Sequence, residues 1–116
     1  MKIYVTGASG PSQEFESLRE LGHEVVLGRP VDQPGRQPYT EKELLEWCRD
    51  ADVIMASHLD TITRPVLEAA ERLRLVVVPY IGVDKIDVAA ATELGIMVAN
   101  SPTPQNFHGV AEATLV

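Results

Sequence analysis

Residues 76–100, VVVPYIGVDKIDVAAATELGIMVAN, decide the fold of this chain. Three consecutive valines open the stretch, which is typical of a strand that is covered on both faces. Gly82 follows at the end of that strand, where a missing side chain lets a ligand approach backbone amides. Asp87 can cap a short helix and Gly95 can end it, so that residues 96–99 form the next buried strand. The stretch therefore predicts a strand, loop, helix and strand unit with a candidate anion-binding turn.

The rest of the chain repeats this alternation of short apolar strands and helices. Thr40 and Glu43 have the spacing of a capping box, and Thr63 precedes another helix that has Pro65 in its first turn. Further strands are predicted at residues 2–6, 24–27 and 53–56. Strict alternation favours parallel strands joined by right-handed crossovers. The prediction is an α/β fold, a doubly wound, flavodoxin-like sheet of five parallel strands in the order 2-1-3-4-5.

Composition and charge set limits on the class of protein. At 116 residues the chain is long enough for one domain, and its net charge of −7 argues against nucleic acid or an anionic membrane as partner. Cys48 is the single cysteine, so no internal disulfide is expected. With neither a signal peptide nor a long apolar run, the expected location is the cytoplasm. The Pro- and Gly-containing segment 28–39 is interpreted as a surface loop.

Ligands of doubly wound sheets collect outside the carboxyl ends of the strands, which selects a few loop residues as candidates. His58 follows the third strand, where an imidazole could face a ligand, but Asp60 is a poor orienting partner only two residues further along. Asn100 ends the fifth strand, and two interpretations stay open: a turn before proline or an amide donor to a substrate oxygen. Asp84 and Asp87 are explained by turn formation and capping, so no metal site is expected.

Two groups of motifs resemble the D-isomer-specific 2-hydroxyacid dehydrogenase family. The first is VPYIGVDKIDVAAATELGIMVANSP, and the second is VAEAT at residues 110–114. The matching positions are Gly82, Asp84, Ile86 and Asp87 in the loop, Leu94, Gly95 and Ile96 at the helix end, Val98, Asn100 and Pro102 at the strand end, and Val110, Ala111 and Glu112 in the last helix. The resemblance effectively spans the chain and is weakest before residue 50.

The resemblance implies a division of labour between two domains. Residues 1–103 would form a flavodoxin-like substrate domain, and residues 104–116 would begin the hinge helix that leads to an NAD- or NADP-binding domain. A small 2-hydroxy or 2-oxo acid would be the substrate. Its implied contacts are the backbone amides around Ile81 and Gly82 for the carboxylate, Ser57 and His58 in the pocket wall, Asn100 beside substrate and nicotinamide, and Val110 near the nicotinamide.

The resemblance also implies that the catalytic residues lie elsewhere. In the family the catalytic Arg, Glu and His and the glycine fingerprint come later in the chain, so no catalytic residue is assigned here. The chain is expected to be a truncated form that is inactive by itself, binds no cofactor tightly and pairs with a second copy through its terminal helix. Many members carry Arg where Ser57 stands, and the absence of that Arg from this chain argues against a phosphorylated substrate. The alternatives are a stand-alone flavodoxin-like binding module and a partner subunit without catalysis.

Overall fold

A computed structural model of the chain describes residues 1–7, 15–30, 34–78 and 83–100. In these residues, strands and helices alternate from Lys2 to Asn100. The elements are β1 (Lys2–Val5), α1 (Glu16–Glu20), β2 (Glu24–Leu27), α2 (Glu41–Trp47), β3 (Val53–Met55), α3 (Arg64–Ala69), β4 (Leu75–Val78), α4 (Val88–Leu94) and β5 (Met97–Asn100). The boundaries of β1, β2, β3 and β5 lie within one residue of their predictions.

The strands form one sheet in the order β2-β1-β3-β4-β5, and every neighbouring pair is parallel. This confirms the predicted α/β architecture and strand order. The first strand lies inside the sheet, where Ile3 pairs with Val25 on one side and with Val53 on the other. Successive strands are added to one side of β1 first and then to the other, so the carboxyl ends of β1 and β3 flank the switch point of this doubly wound sheet.

Alternating side chains of the strands pack into two hydrophobic cores, one on each face of the sheet. Ile3 and Val5 belong to the core that contains Phe15 before α1, whereas Tyr4 belongs to the larger core under α2, α3 and α4. Leu44 in α2 is fully buried in that larger core. Because successive side chains of a strand point to opposite faces, both faces of the sheet are covered.

The predicted helix ends are confirmed at three places. Thr40 and Glu43 form a reciprocal capping box at the start of α2. The Asp87 carboxylate accepts a hydrogen bond from the Ala90 amide at 3.0 Å, and Gly95 ends the same helix, α4, with a φ of 75°. Thr63 precedes α3 as predicted, although its hydroxyl donates to Glu41 instead of capping its own helix.

One interpretation of the sequence was wrong in part. The segment 28–39 is not simply a surface loop, because the Arg36 side chain is only 2% exposed. The predicted last helix and the domain boundary at residue 103 lie outside the described residues, and both stay predictions.

Candidate functional site

A cleft of about 460 Å³ opens at the carboxyl edge of the sheet. Its described walls come from the ends of β3 and β4 and from the loop that follows β4. They are Ser57, His58, Val78, Val83, Asp84, Lys85 and Ile86. The cleft therefore lies at the carboxyl edge of the sheet, where doubly wound sheets bind ligands, but between β3 and β4 and not at the switch point between β1 and β3. Its wall is mainly apolar and includes a few polar side chains.

One short backbone bridge joins the two loops that form the cleft. The Ile62 amide donates to the Lys85 carbonyl at 2.9 Å, and the Asp87 amide donates back to the Ile62 carbonyl at 3.0 Å. Ile62 and Ile86 are buried beside each other on the core side of this bridge. The loop 83–86 thus has a fixed position relative to the segment that follows β3.

The other wall of the cleft depends on a buried polar network around Asp60. The Ser57 hydroxyl donates to Asp60 Oδ2 at 2.5 Å, and the Ser57 amide donates to Thr6 Oγ1 at 2.8 Å. Arg36 donates to both carboxylate oxygens of Asp60 at 2.9 Å, and the Tyr39 amide adds a bond of 2.8 Å. The network connects the ends of β1 and β3 to the segment before α2.

The hydrogen bonds of this network control the ionisation of Asp60. Burial by itself would raise the pKa of this carboxyl, but the bonds from Arg36, Ser57, Tyr39 and Thr6 outweigh it and lower the pKa below its ordinary value. Asp60 is therefore an anion at neutral pH, held by donors on several sides. This makes it a structural acceptor within the network and not a proton donor to a ligand.

The structure brings together some of the predicted site residues. Ser57 and His58 line the cleft, with Ser57 buried and His58 exposed. Asn100 is the last residue of β5 and lies opposite Val78, a cleft residue, in the register of β4 and β5. Ile81, Gly82 and Val110 lie outside the described residues, so their predicted roles stay predictions.

Sequence reasoning missed several features of the site. Val83 and Lys85 line the cleft, and their position directly after the Gly82 turn is a signal that could have identified them. Arg36 has no comparable signal, because it lies 24 residues before Asp60 in a segment with the composition of a loop. In the described ranges no cluster of His, Cys, Asp and Glu could hold a metal ion. Equally, none of the helices described has the length and apolar character needed to cross a bilayer.

The fold is that of a doubly wound α/β protein with a cleft at the carboxyl edge of its sheet. Residues 5–114 match the family model for the D-isomer specific 2-hydroxyacid dehydrogenase, catalytic domain. The chain therefore belongs to the D-isomer-specific 2-hydroxyacid dehydrogenase family, as its motifs indicated.

Similar proteins include two enzymes of known activity and one solved structure. The chain is 46% identical over 76 residues to a D-3-phosphoglycerate dehydrogenase of Methanocaldococcus jannaschii, a match that covers 66% of this chain and 14% of that enzyme. It is 35% identical over 101 residues to a glyoxylate reductase of Thermococcus kodakarensis, covering 87% of this chain and 28% of that enzyme. The structure of NAD+-bound 3-phosphoglycerate dehydrogenase of Entamoeba histolytica superimposes with a TM-score of 0.75 at 29% identity, covering 99% of this chain and 37% of that one.

Proposed function

We propose that this chain forms the substrate-binding part of an NAD- or NADP-dependent dehydrogenase that acts on a small D-2-hydroxy acid or its 2-oxo form. The observation that carries the proposal is the cleft at the carboxyl edge of the sheet, in a chain that belongs to this family. The matched relatives are several times longer than this chain, which covers 14% and 28% of the two enzymes. Hydride transfer is therefore assigned to the whole enzyme and substrate binding to this part.

The composition of the cleft suits a small organic acid. Val78, Val83 and Ile86 provide apolar wall that excludes water from the carbon chain of the substrate. His58 and Lys85 add polar groups that can interact with an anion. The substrate carboxylate is assigned to the backbone amides around Ile81 and Gly82, at the turn that follows β4.

The proposed role of the described residues is binding and orientation. Asn100 lies one strand beyond the cleft and would reach the substrate and the nicotinamide from the end of β5. The cofactor supplies the hydride when it is bound, and Val110 is the residue of this chain assigned to its neighbourhood. The acid–base and carbonyl-polarising groups are assigned to residues outside these 116.

A titration of the isotope-labelled chain with glyoxylate, followed by amide NMR, tests the proposal. We expect saturable shifts at residues 57–58, 83–86 and 100, and much smaller shifts with acetate, which carries a carboxylate but no 2-oxo group. Addition of NADH alone should give no saturable shifts at these positions. Equal shifts with glyoxylate and acetate, or glyoxylate-induced shifts at the opposite edge of the sheet, would contradict the proposed function.

Reading the source gene beyond codon 116 addresses the proposed division between this chain and a catalytic part. A continuous frame with a Gly-x-Gly-x-x-Gly turn, followed by Arg, Glu and His, is the expected result. A stop codon at that point would instead favour a partner subunit or a stand-alone binding module. In that case co-purification with a protein that carries a cofactor domain would distinguish these two alternatives.

A further inference from the structure

Arg36 connects two elements at the carboxyl edge of the sheet although it does not line the cleft. One of its nitrogens donates to the Thr6 carbonyl at 2.9 Å, at the end of β1. The same guanidinium holds both carboxylate oxygens of Asp60, in the loop that follows β3. Both side chains of the ion pair are buried, at 2% and 0% exposure, so solvent does not screen this connection.

The contacts continue from Asp60 into the wall of the cleft. Asp60 accepts the Ser57 hydroxyl, and the oxygen of that hydroxyl in turn accepts the Leu59 amide at 3.2 Å. The Ser57 amide is bound to Thr6 Oγ1. The amides before and after His58 are thus both held by this network. The Ser57 amide is bound to Thr6, which Arg36 contacts directly, and the Leu59 amide is bound to the Ser57 hydroxyl, which reaches Arg36 through Asp60.

We propose that Arg36 is a positioning residue for the cleft. Through Asp60 it holds Ser57 and His58 in the geometry that binds the ligand. Ser57 and His58 face the ligand, and Arg36 sets their orientation from a segment whose described residues do not line the cleft. A bidentate guanidinium–carboxylate pair fixes angle as well as distance, which a single hydrogen bond does not. The effect on the ligand rests on the proposed function, whereas the effect on the loop geometry does not.

Hydrogen exchange of individual amides tests the effect on the loop in the chain without ligand. Arg36→Met should accelerate exchange at the amides of Ser57 and Leu59 by about 10-fold relative to amides in the centre of the sheet, as expected when a hydrogen bond to a buried group is lost. Arg36→Lys keeps the charge and loses the bidentate geometry, so we expect a smaller acceleration at the same two amides. If Arg36→Met does not fold, Arg36→Lys decides the question.

Arg29→Met is the matched control, because Arg29 comes from the same segment as Arg36 and both guanidinium groups lie over the Tyr39 ring, at 4.1 and 5.0 Å from its centroid. Its contacts are to Glu43 and the Gln37 carbonyl and not to the loop after β3. Exchange at Ser57 and Leu59 should be unchanged in this variant. Uniform acceleration over the whole sheet in Arg36→Met and Arg36→Lys would show a role in stability alone and overturn the proposal.

A glyoxylate titration of the same variants separates this proposal from the proposed function. If the wild-type chain binds glyoxylate, Arg36→Lys should weaken the affinity by about 10-fold, the factor that corresponds to one hydrogen bond, and Arg29→Met should not. If the wild-type chain does not bind it, the proposed function fails while the exchange data still decide the role of Arg36. Wild-type affinity in Arg36→Lys, in a chain that binds glyoxylate, would contradict the positioning role.

Discussion

The guanidinium of Arg36 donates to both carboxylate oxygens of Asp60 at 2.9 Å, with the two side chains 2% and 0% exposed. Such a pair is not stabilising merely because it is buried, since removing both charges from water costs several kcal/mol for each. Here additional donors, the Ser57 hydroxyl and the Tyr39 amide, complete the shell of the carboxylate. In the described part of the molecule Arg36 Nε has no hydrogen-bond partner, which leaves a cost on the cationic side.

Removal of Arg36 alone should therefore be strongly destabilising. Arg36→Met leaves the Asp60 carboxylate buried without its counter-ion, and we expect a loss of about 3–5 kcal/mol in the free energy of unfolding. Urea denaturation measures this loss. The double variant Arg36→Met with Asp60→Leu should recover part of it, because no buried charge is then left unpaired, whereas the Ser57 hydroxyl and the Tyr39 amide lose their acceptor.

The matched control is the ion pair of Arg72 with Asp52, in which the Arg72 side chain is 68% exposed. Arg72→Met should cost less than about 1 kcal/mol, as solvent-exposed pairs do. Equal losses for Arg36→Met and Arg72→Met would contradict the assignment of the Arg36 pair as a buried, structurally coupled one.

Stability should fall on acidification, in a range set by Asp60. Its folded pKa lies below the ordinary value, about 3.9 for an unperturbed Asp, because its hydrogen bonds outweigh the effect of burial. The ionised carboxylate therefore contributes stability above about pH 4, and this contribution is lost as the pH falls through the folded pKa. Chemical denaturation as a function of pH should show a smaller acid-dependent loss in Asp60→Asn than in the wild type.

Asp50, whose pKa is also lowered, provides the control for this measurement. Hydrogen bonds from Lys2 and Tyr4 lower the pKa of Asp50 to about 2, but its side chain is half exposed. Salt at about 0.5 M should weaken the contribution of Asp50 and leave that of the buried Asp60 nearly unchanged. If wild type and Asp60→Asn lose stability in parallel as the pH falls, Asp60 is not the source of the acid sensitivity.

Local signals in the sequence were sufficient for the fold. The capping box of Thr40 and Glu43, the cap at Asp87 and the αL end at Gly95 each depend on residues within one helical turn, and all are present in the structure. Alternation of strand and helix then restricts the sheet to a few topologies. For these reasons the strand order could be predicted without any knowledge of long-range contacts.

The candidate site could be predicted only in part, because its geometry depends on contacts between distant segments. Ser57 and His58 were found from their place after a strand, but the partner of Asp60 was not. Arg36 lies among prolines and glycines, and such composition is typical of exposed loops. No periodicity reports that its side chain turns inward, since the reason is a carboxylate that lies 24 residues further along the chain.

Gly28 should not tolerate even the smallest side chain. A Cβ atom at this position would lie 2.6 Å from the Tyr39 hydroxyl, 2.8 Å from the Thr6 carbonyl oxygen and 2.9 Å from Trp47 Cη2. The side chains can shift, but the carbonyl belongs to the backbone at the end of β1. We expect Gly28→Ala to cost about 1–3 kcal/mol, as overpacking does, and to shift the fluorescence of Trp47.

Gly95→Ala is the control for Gly28→Ala, because it has a conformational cost in stability without a steric one. A Cβ at Gly95 would have no heavy atom within 4 Å, yet its φ of 75° is strained for any other residue, so we expect about 1–2 kcal/mol. Trp47 lies in a different helix, and its emission should not change in this variant. A wild-type emission spectrum and wild-type stability in Gly28→Ala would show that the close approach is relieved without strain.

Asp87 should be more important for stability than Asp84, although both are exposed. Asp87→Ala removes the cap of α4 and should cost about 1 kcal/mol, measurable by thermal or urea denaturation. Asp84 occupies the turn beside the cleft, and Asp84→Ala should stay within about 0.5 kcal/mol of the wild type. Equal costs for the two substitutions would mean that the cap at Asp87 makes no specific contribution.

The charges of the cleft should affect anion binding in opposite directions. Asp84 and Lys85 both line the cleft, so a bound carboxylate is repelled by the first and attracted by the second. At a separation of about 6 Å in water a unit charge contributes about 0.7 kcal/mol, which corresponds to about threefold in affinity. Asp84→Asn should therefore bind glyoxylate about threefold more tightly and Lys85→Met about threefold more weakly, and salt at about 0.5 M should reduce both effects.

Isothermal calorimetry or the amide NMR titration measures the dissociation constants of these two variants and of the wild type. Changes in the same direction for both variants would show that the substitutions alter the shape of the cleft, since a purely electrostatic effect must have opposite signs.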